Sequence, residues 1–176
     1  MALTRLPVAN TLTGTIASTN IANASLNDVT ALPGAIATGK VLQVLTYTDN
    51  TQRSSTSSSF VNCSTTLSGA ITPSATSSKI LITTNFNGQV PQASTTDTYT
   101  IYRDTTNLGD ATNGMALIMP GGGTHDMASV VSMIYLDSPS STSALTYEVR
   151  GKRSASTFYI NYGASLASLI LMEIGA

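Results

Sequence analysis

The chain has 176 residues, enough for one compact domain plus an extension and short for two full domains. Only 10% of it is charged and the net charge is −1. Its single cysteine, Cys63, excludes an intrachain disulfide and a cysteine-based metal site. No basic run exceeds Lys152-Arg153 beside Arg150, which leaves no patch to release phosphate counterions and argues against a nucleic-acid partner. No run approaches about eighteen apolar residues, so no membrane partner is expected either.

The texture of the chain changes at Gly39-Lys40. Residues 1–39 hold no Phe, Tyr or Trp, and their only charges are Arg5 and Asp28. After Thr13 they fall into blocks of five: Gly14-Thr-Ile-Ala-Ser18, Thr19-Asn-Ile-Ala-Asn23 and Ala24-Ser-Leu-Asn-Asp28. Each block places a branched apolar residue third, at Ile16, Ile21 and Leu26, with Val29 and Leu32 following before Pro33-Gly34. A five-residue period fits neither a helix nor a strand. The segment reads as an extended anchoring arm that sets apolar pegs into a groove on another protein, each peg contributing about 1.5–3 kcal/mol. Fully stretched, it spans on the order of 120 Å. A plain linker would not repeat Ile and Leu at a fixed interval. The opening Met-Ala-Leu-Thr-Arg-Leu-Pro lacks the pattern of a signal peptide, so assembly in a cytoplasm is expected.

Residues 40–176 read as an all-β head domain. Strands are predicted at 40–48, 59–63, 67–72, 79–87, 97–103, 114–119, 128–136, 144–150, 157–162 and 168–174. A Ser/Thr loop at 49–58 and a turn at Pro73-Ser74 separate the early ones. In 79–87, Ile80, Ile82 and Phe86 should face inward, with Leu81, Thr83 and Asn85 opposite. In 144–150, Leu145, Tyr147 and Val149 should be inward, with Thr146, Glu148 and Arg150 outward. Short strands at this spacing indicate a jelly-roll antiparallel β-sandwich. The runs 130–136 and 169–174 are apolar on both faces of the pleat, which calls for a covering subunit on the outer side. The candidate subunit-interface residues are Val131, Met133, Tyr135, Leu169 and Leu171, in a homo-oligomer.

Several phrases carry a family resemblance. They are Gly39-Lys-Val-Leu-Gln-Val44, Ile71-Thr-Pro-Ser-Ala-Thr-Ser-Ser-Lys-Ile-Leu-Ile82, Tyr135-Leu-Asp-Ser-Pro139, Leu145-Thr-Tyr-Glu-Val149 and Met172-Glu-Ile174. Together with the Thr-Ile-Ala-Ser and Asn-Ile-Ala-Asn phrases of the arm, they resemble β-rich modules of tailed-bacteriophage capsid decoration (cement), head-fibre and tail-fibre proteins. The resemblance implies a homotrimer with a jelly-roll or tumour-necrosis-factor-like head on the capsid exterior. Its arm, residues 1–39, would bind the major capsid protein or another virion protein. The alternative within the same resemblance is a fibre or adaptor module that binds host surface glycans.

No catalytic, cofactor or metal site is expected. His125, the only histidine, follows Gly121-Gly122-Gly123-Thr124 and precedes Asp126. A triad with Thr124 or Ser129 would need an orienting group and an oxyanion site that a glycine-rich loop rarely supplies. The glycines lack the Lys-Ser/Thr of a phosphate loop. Asp104-Thr-Thr-Asn107-Leu-Gly109-Asp110 offers oxygen ligands but misses calcium-loop spacing and reads as a hairpin turn. Tyr99, Tyr102, Tyr135, Tyr147, Tyr159 and Tyr162 would make a sugar-stacking platform only if several shared one outer face. Cys63 reads as a buried free thiol, and Arg150, Lys152 and Arg153 as the solvent end of a hairpin.

Overall fold

A computed structural model describes residues 40–90, 95–119, 126–155 and 157–175. The arm candidates Ile16, Ile21, Leu26, Val29 and Leu32 lie outside the described residues, as do Gly121–Gly123, Thr124 and His125.

Among the described residues there are twelve strands: β1 (Val41–Asp49), β2 (Arg53–Ser55), β3 (Val61–Asn62), β4 (Ser68–Ile71), β5 (Lys79–Val90), β6 (Asp97–Arg103), β7 (Thr106–Asn107), β8 (Ala116–Ile118), β9 (Met127–Asp137), β10 (Leu145–Arg153), β11 (Phe158–Ile160) and β12 (Ala167–Ile174). They form two six-stranded sheets, antiparallel at every ladder. In the first sheet β1 pairs β12, and β12 pairs β5. β11 joins β5 and β2, and β9 lies along β5. In the second, β10 is central, flanked by β3 and β4 on one side and by β6 on the other, with β7 and β8 on β6.

The pairings β1–β12, β4–β10, β5–β9 and β6–β8 nest inside one another along the chain. One long hairpin has been rolled so that its successive rungs fall alternately in the two sheets, which is the jelly-roll arrangement. All ten predicted strands recur. The two additions, β2 and β7, are three and two residues long and are built of Ser, Thr, Asn and Arg, so they carry no apolar alternation to read. β7 follows β6 through a tight turn in which Asp104 takes a left-handed φ of 51°.

The core lies between the sheets. Ile80, Ile82 and Phe86 of β5 are buried as expected, and so are Leu145, Tyr147 and Val149 of β10. Phe86 meets Tyr99 edge-on at 5.0 Å, and Tyr99 meets Phe158 at 6.0 Å, so one aromatic chain ties the two layers together. Cys63 is a buried free thiol, and burial pushes its pKa up.

One charge reading is corrected. β10 continues to Arg153, whose side chain is fully buried against Asp97, Nε to Oδ1 at 3.2 Å, with a further hydrogen bond donated to Thr95. The strand keeps its two-residue alternation past the expected end, and Arg153 falls in the inward phase. Only Arg150 and Lys152 stay outside; they lie over the rings of Tyr102 and Phe60 at 4.0 and 4.4 Å.

Gly69 of β4 lets the sandwich margin close. A Cβ there would fall 2.0 Å from the ring of Tyr47, whose hydroxyl donates to the Ala70 carbonyl at 3.0 Å. Gly69→Ala is therefore expected to destabilise the protein by about 1–3 kcal/mol through overpacking, read as a lower denaturant midpoint. An unchanged midpoint would show that the Tyr47 ring moves aside freely.

Candidate interaction surface

The first sheet carries an unusual outer face. Because strand side chains alternate, each ladder register also lists which residues stand side by side on that face. Val44, Met172, Leu81 and Leu136 form one row across β1, β12, β5 and β9. The next row is Thr46, Ile170, Thr83 and Ile134, and a third, Thr48, Ser168, Asn85 and Ser132, is polar. Beyond the first row Val41 pairs Ile174. Val44 is 52% exposed, Ile134 70% and Leu136 47%, while Met172, Ile170 and Leu81 are half-buried. A contiguous apolar band of this kind on a solvent face marks a contact surface.

The candidates from the sequence sit one residue out of phase with it. Val131, Met133, Leu169 and Leu171 are buried in the core, and Tyr135 packs against it. Pointing inward, they are not available to another subunit. Their strand neighbours Val130, Ile134, Leu136, Ile170 and Met172 face out instead. Since both phases of β9 are apolar, only its pairing with β5 separates them: the outward Leu81 stands beside Leu136.

The face is also nearly uncharged. Of the residues on these rows and their flanks, Lys79 at one corner carries the only charge, because the acidic residues of β1, β9 and β12 all turn inward. Asp137 receives Arg103 Nη1 at 2.7 and 2.9 Å and the Tyr147 hydroxyl at 2.7 Å, joining β9 to the opposite sheet. Asp49 accepts from the Ser64 hydroxyl at 2.5 Å, from Arg53 Nε at 2.9 Å and from the Thr51 N–H at 2.9 Å. Burial opposes ionisation of Asp49, but these donors outweigh it and hold its pKa below the usual carboxylate range. Glu173 accepts from Gln43 at 2.7 Å and from the Ser74 hydroxyl and N–H at 2.6 and 2.7 Å. There too burial pushes the pKa up, and the Ser74 and Gln43 hydrogen bonds overcome it, bringing the value down to about 2.

The other candidate chemistry does not assemble. Asp126 accepts from Gln89 at 3.2 Å, and the Ser129 hydroxyl donates to a backbone carbonyl at 3.4 Å. Asp104 and Asp110 spend their carboxylates on the backbone N–H groups of Thr146, Thr112 and Asn113. Among the described residues no group of three or more His, Cys, Asp or Glu is placed to hold a metal. Tyr99 and Tyr147 are core residues, Tyr135 packs against the core, Tyr102 lies under Arg150, and Tyr159 and Tyr162 meet edge-on at 6.1 Å, so of the six candidates only that last pair stands together. No helix among the described residues is long and apolar enough to cross a membrane.

No protein-family model and no curated protein matches the chain. Solved structures similar to the chain include the VP2 protein of infectious bursal disease virus in derived T=1 particles, at 14% identity and a TM-score of 0.41, covering 74% of this chain and 36% of that one. The T13 particle of the same virus aligns at 12% identity and a TM-score of 0.42, over 78% and 38% of the two chains. The chain thus spans less than two fifths of the length of either of these chains. The resemblance to tailed-bacteriophage decoration and fibre modules is corrected by these findings, and with it the cement and fibre functions. The likenesses found are to the capsid protein of an icosahedral, non-tailed virus. The phrases that carried that resemblance were strand and turn segments such as Leu145–Val149, whose alternation any jelly roll needs.

The carboxylate clamps give a pH dependence of defined sign. Folding favours ionised Glu173, so its contribution is complete above pH about 4.5 and is lost as the pH falls toward about 2. The melting temperature should decline across that window, and Glu173→Gln should decline less steeply. Parallel curves for the two proteins would refute the assignment.

Proposed function

We propose that this protein is a structural subunit of a viral shell, held to neighbouring copies by the outer face of its first sheet. The observation that carries the reading is the row Val44–Met172–Leu81–Leu136 with Ile134 and Ile170 beside it: an apolar, nearly uncharged band on a stable sandwich. Jelly rolls serve viral capsids and also lectins and cupins, so the fold narrows the choice only by analogy. Lectin and enzyme readings draw no support from the tyrosines, the acidic residues or the Asp126 neighbourhood as placed here. Residues 1–39 keep their proposed role as an anchoring arm toward another virion protein, supported by the spacing of Ile16, Ile21, Leu26, Val29 and Leu32.

Burying the exposed half of a Val, Leu or Ile contributes roughly 1 kcal/mol. The half-dozen residues of the band then supply several kcal/mol, against an association cost of about 4–15 kcal/mol. The band alone holds copies together weakly and needs partners in a larger contact. The trimer came from the corrected resemblance, and the band fixes no copy number; native mass reads it directly.

Val44→Asp and Leu136→Asp test the reading. Wild type should show a native mass several times the 18.2 kDa of the chain. Each variant should fall toward the monomer while circular dichroism and melting stay near wild type, because both sites are exposed. A monomeric wild type at high micromolar concentration, or variants that associate unchanged, would overturn it.

A further inference from the structure

β9 has a second property beyond its share of the apolar band. It pairs with β5 over its whole length, from Met127 opposite Val90 to Asp137 opposite Ile80, without a register shift. Among the described residues no strand pairs with its other edge. Natural sheets blunt such edges with Lys, Pro, bulges or shortness, because a row of open N–H and C=O groups invites another strand. β9 uses none of these devices. From Met127 to Leu136 it has no charge, no proline and no glycine. The first sheet's opposite long edge, β1, does carry a register irregularity between Val41 and Gln43, and β2, β3, β7 and β8 are only two or three residues long.

We infer that β9 pairs antiparallel with β9 of a second copy, about a two-fold axis passing at Ser132. A strand brought against itself by a two-fold axis is necessarily antiparallel and its contact self-complementary. Ser132 is the midpoint of Met127–Asp137, so this register overlaps the full strand. On the outer face it sets Val130 opposite Ile134 and Ala128 opposite Leu136, with the small Ser132 facing its own copy at the axis. Val130 and Ile134 are 69% and 70% exposed in the single chain, and each gains an apolar cross-strand neighbour. No charge comes opposite a like charge: at the ends each Asp137 meets the partner's Met127 and is already held by Arg103. About ten backbone hydrogen bonds would form, close to the number in a standard interface. The two sheets become one, and their apolar bands run together across the axis. This rests on the proposed self-association and names the edge that supplies what the band lacks.

The experiment is single-cysteine cross-linking on the full chain. Directly opposed residues on an antiparallel pair have Cα atoms about 4.5–5.5 Å apart, within disulfide range. Native Cys63 is buried and leaves the background low. Ser132→Cys should form a disulfide-linked dimer on mild oxidation, and Ile134→Cys much less of one. Ser132→Lys, which sets two ammonium groups face to face at the axis, should weaken association at least tenfold while leaving the melting temperature of the monomer near wild type. Cross-linking at 134 in preference to 132 would overturn the register. Wild-type association with no cross-link at either position, and no effect of Ser132→Lys, would overturn edge pairing while leaving the apolar-band reading standing. A monomeric wild type would sink both.

Discussion

The register of β5 against its neighbours decides nearly everything else about this molecule. β5 is the longest strand among the described residues, and β9 covers one of its edges while β12 and β11 share the other. Strand side chains alternate with a period of two, so a slip of one residue would turn a whole strand inside out. The row at Ile80 shows what pins it: Glu173 and Asp137 stand on either side, both inward, each satisfied by groups that only this register brings within reach. Moved by one position, Glu173 would lose Gln43 and Ser74, and Asp137 would lose Arg103 and Tyr147. Leaving such carboxylates unpaired and buried is among the costliest errors a fold can make.

From that constraint follows an inversion of the usual arrangement. Charges are commonly outside and apolar groups within, yet on this sheet the carboxylates sit at the inner margin and Leu, Val, Ile and Met stand on the outer surface. The acidic groups act as rivets between strands and loops, since Asp49 holds the Thr51 and Ser64 segments and Glu173 holds the turn at Ser74. With its ionic groups committed to structure, the outer face offers a neighbour its shape, its apolar area and the uncharged Thr, Ser and Asn groups of its polar row.

Much of this was legible in the sequence, and the part that was not has a physical reason. β5 and β10 alternate Ile or Val with Thr, Glu or Arg, so their phase could be read directly, and both phases are as expected. β9 and β12 give no such contrast. In β9 the inward set Ser129, Val131, Met133, Tyr135, Asp137 ends on a carboxylate, whereas the outward set Ala128, Val130, Ser132, Ile134, Leu136 has no charge at all, so hydropathy favours the wrong side. An apolar outer face was predictable as a property of those strands, but its residues were not, because the phase is imposed by the neighbour and not by the strand itself. Arg153 failed for a related reason: within a short basic run it looks like a solvent group, and only its partner Asp97, more than fifty residues earlier, accounts for its burial.

The near absence of charge from the outer band sets how its contacts answer to temperature. Raising the salt would screen almost nothing there, since Coulomb forces scarcely take part. Removing apolar area from water is driven mainly by entropy near room temperature and weakens on cooling. Assemblies joined through this face would therefore loosen in the cold and tighten on gentle warming, so a sample kept on ice would show the fewest joined copies.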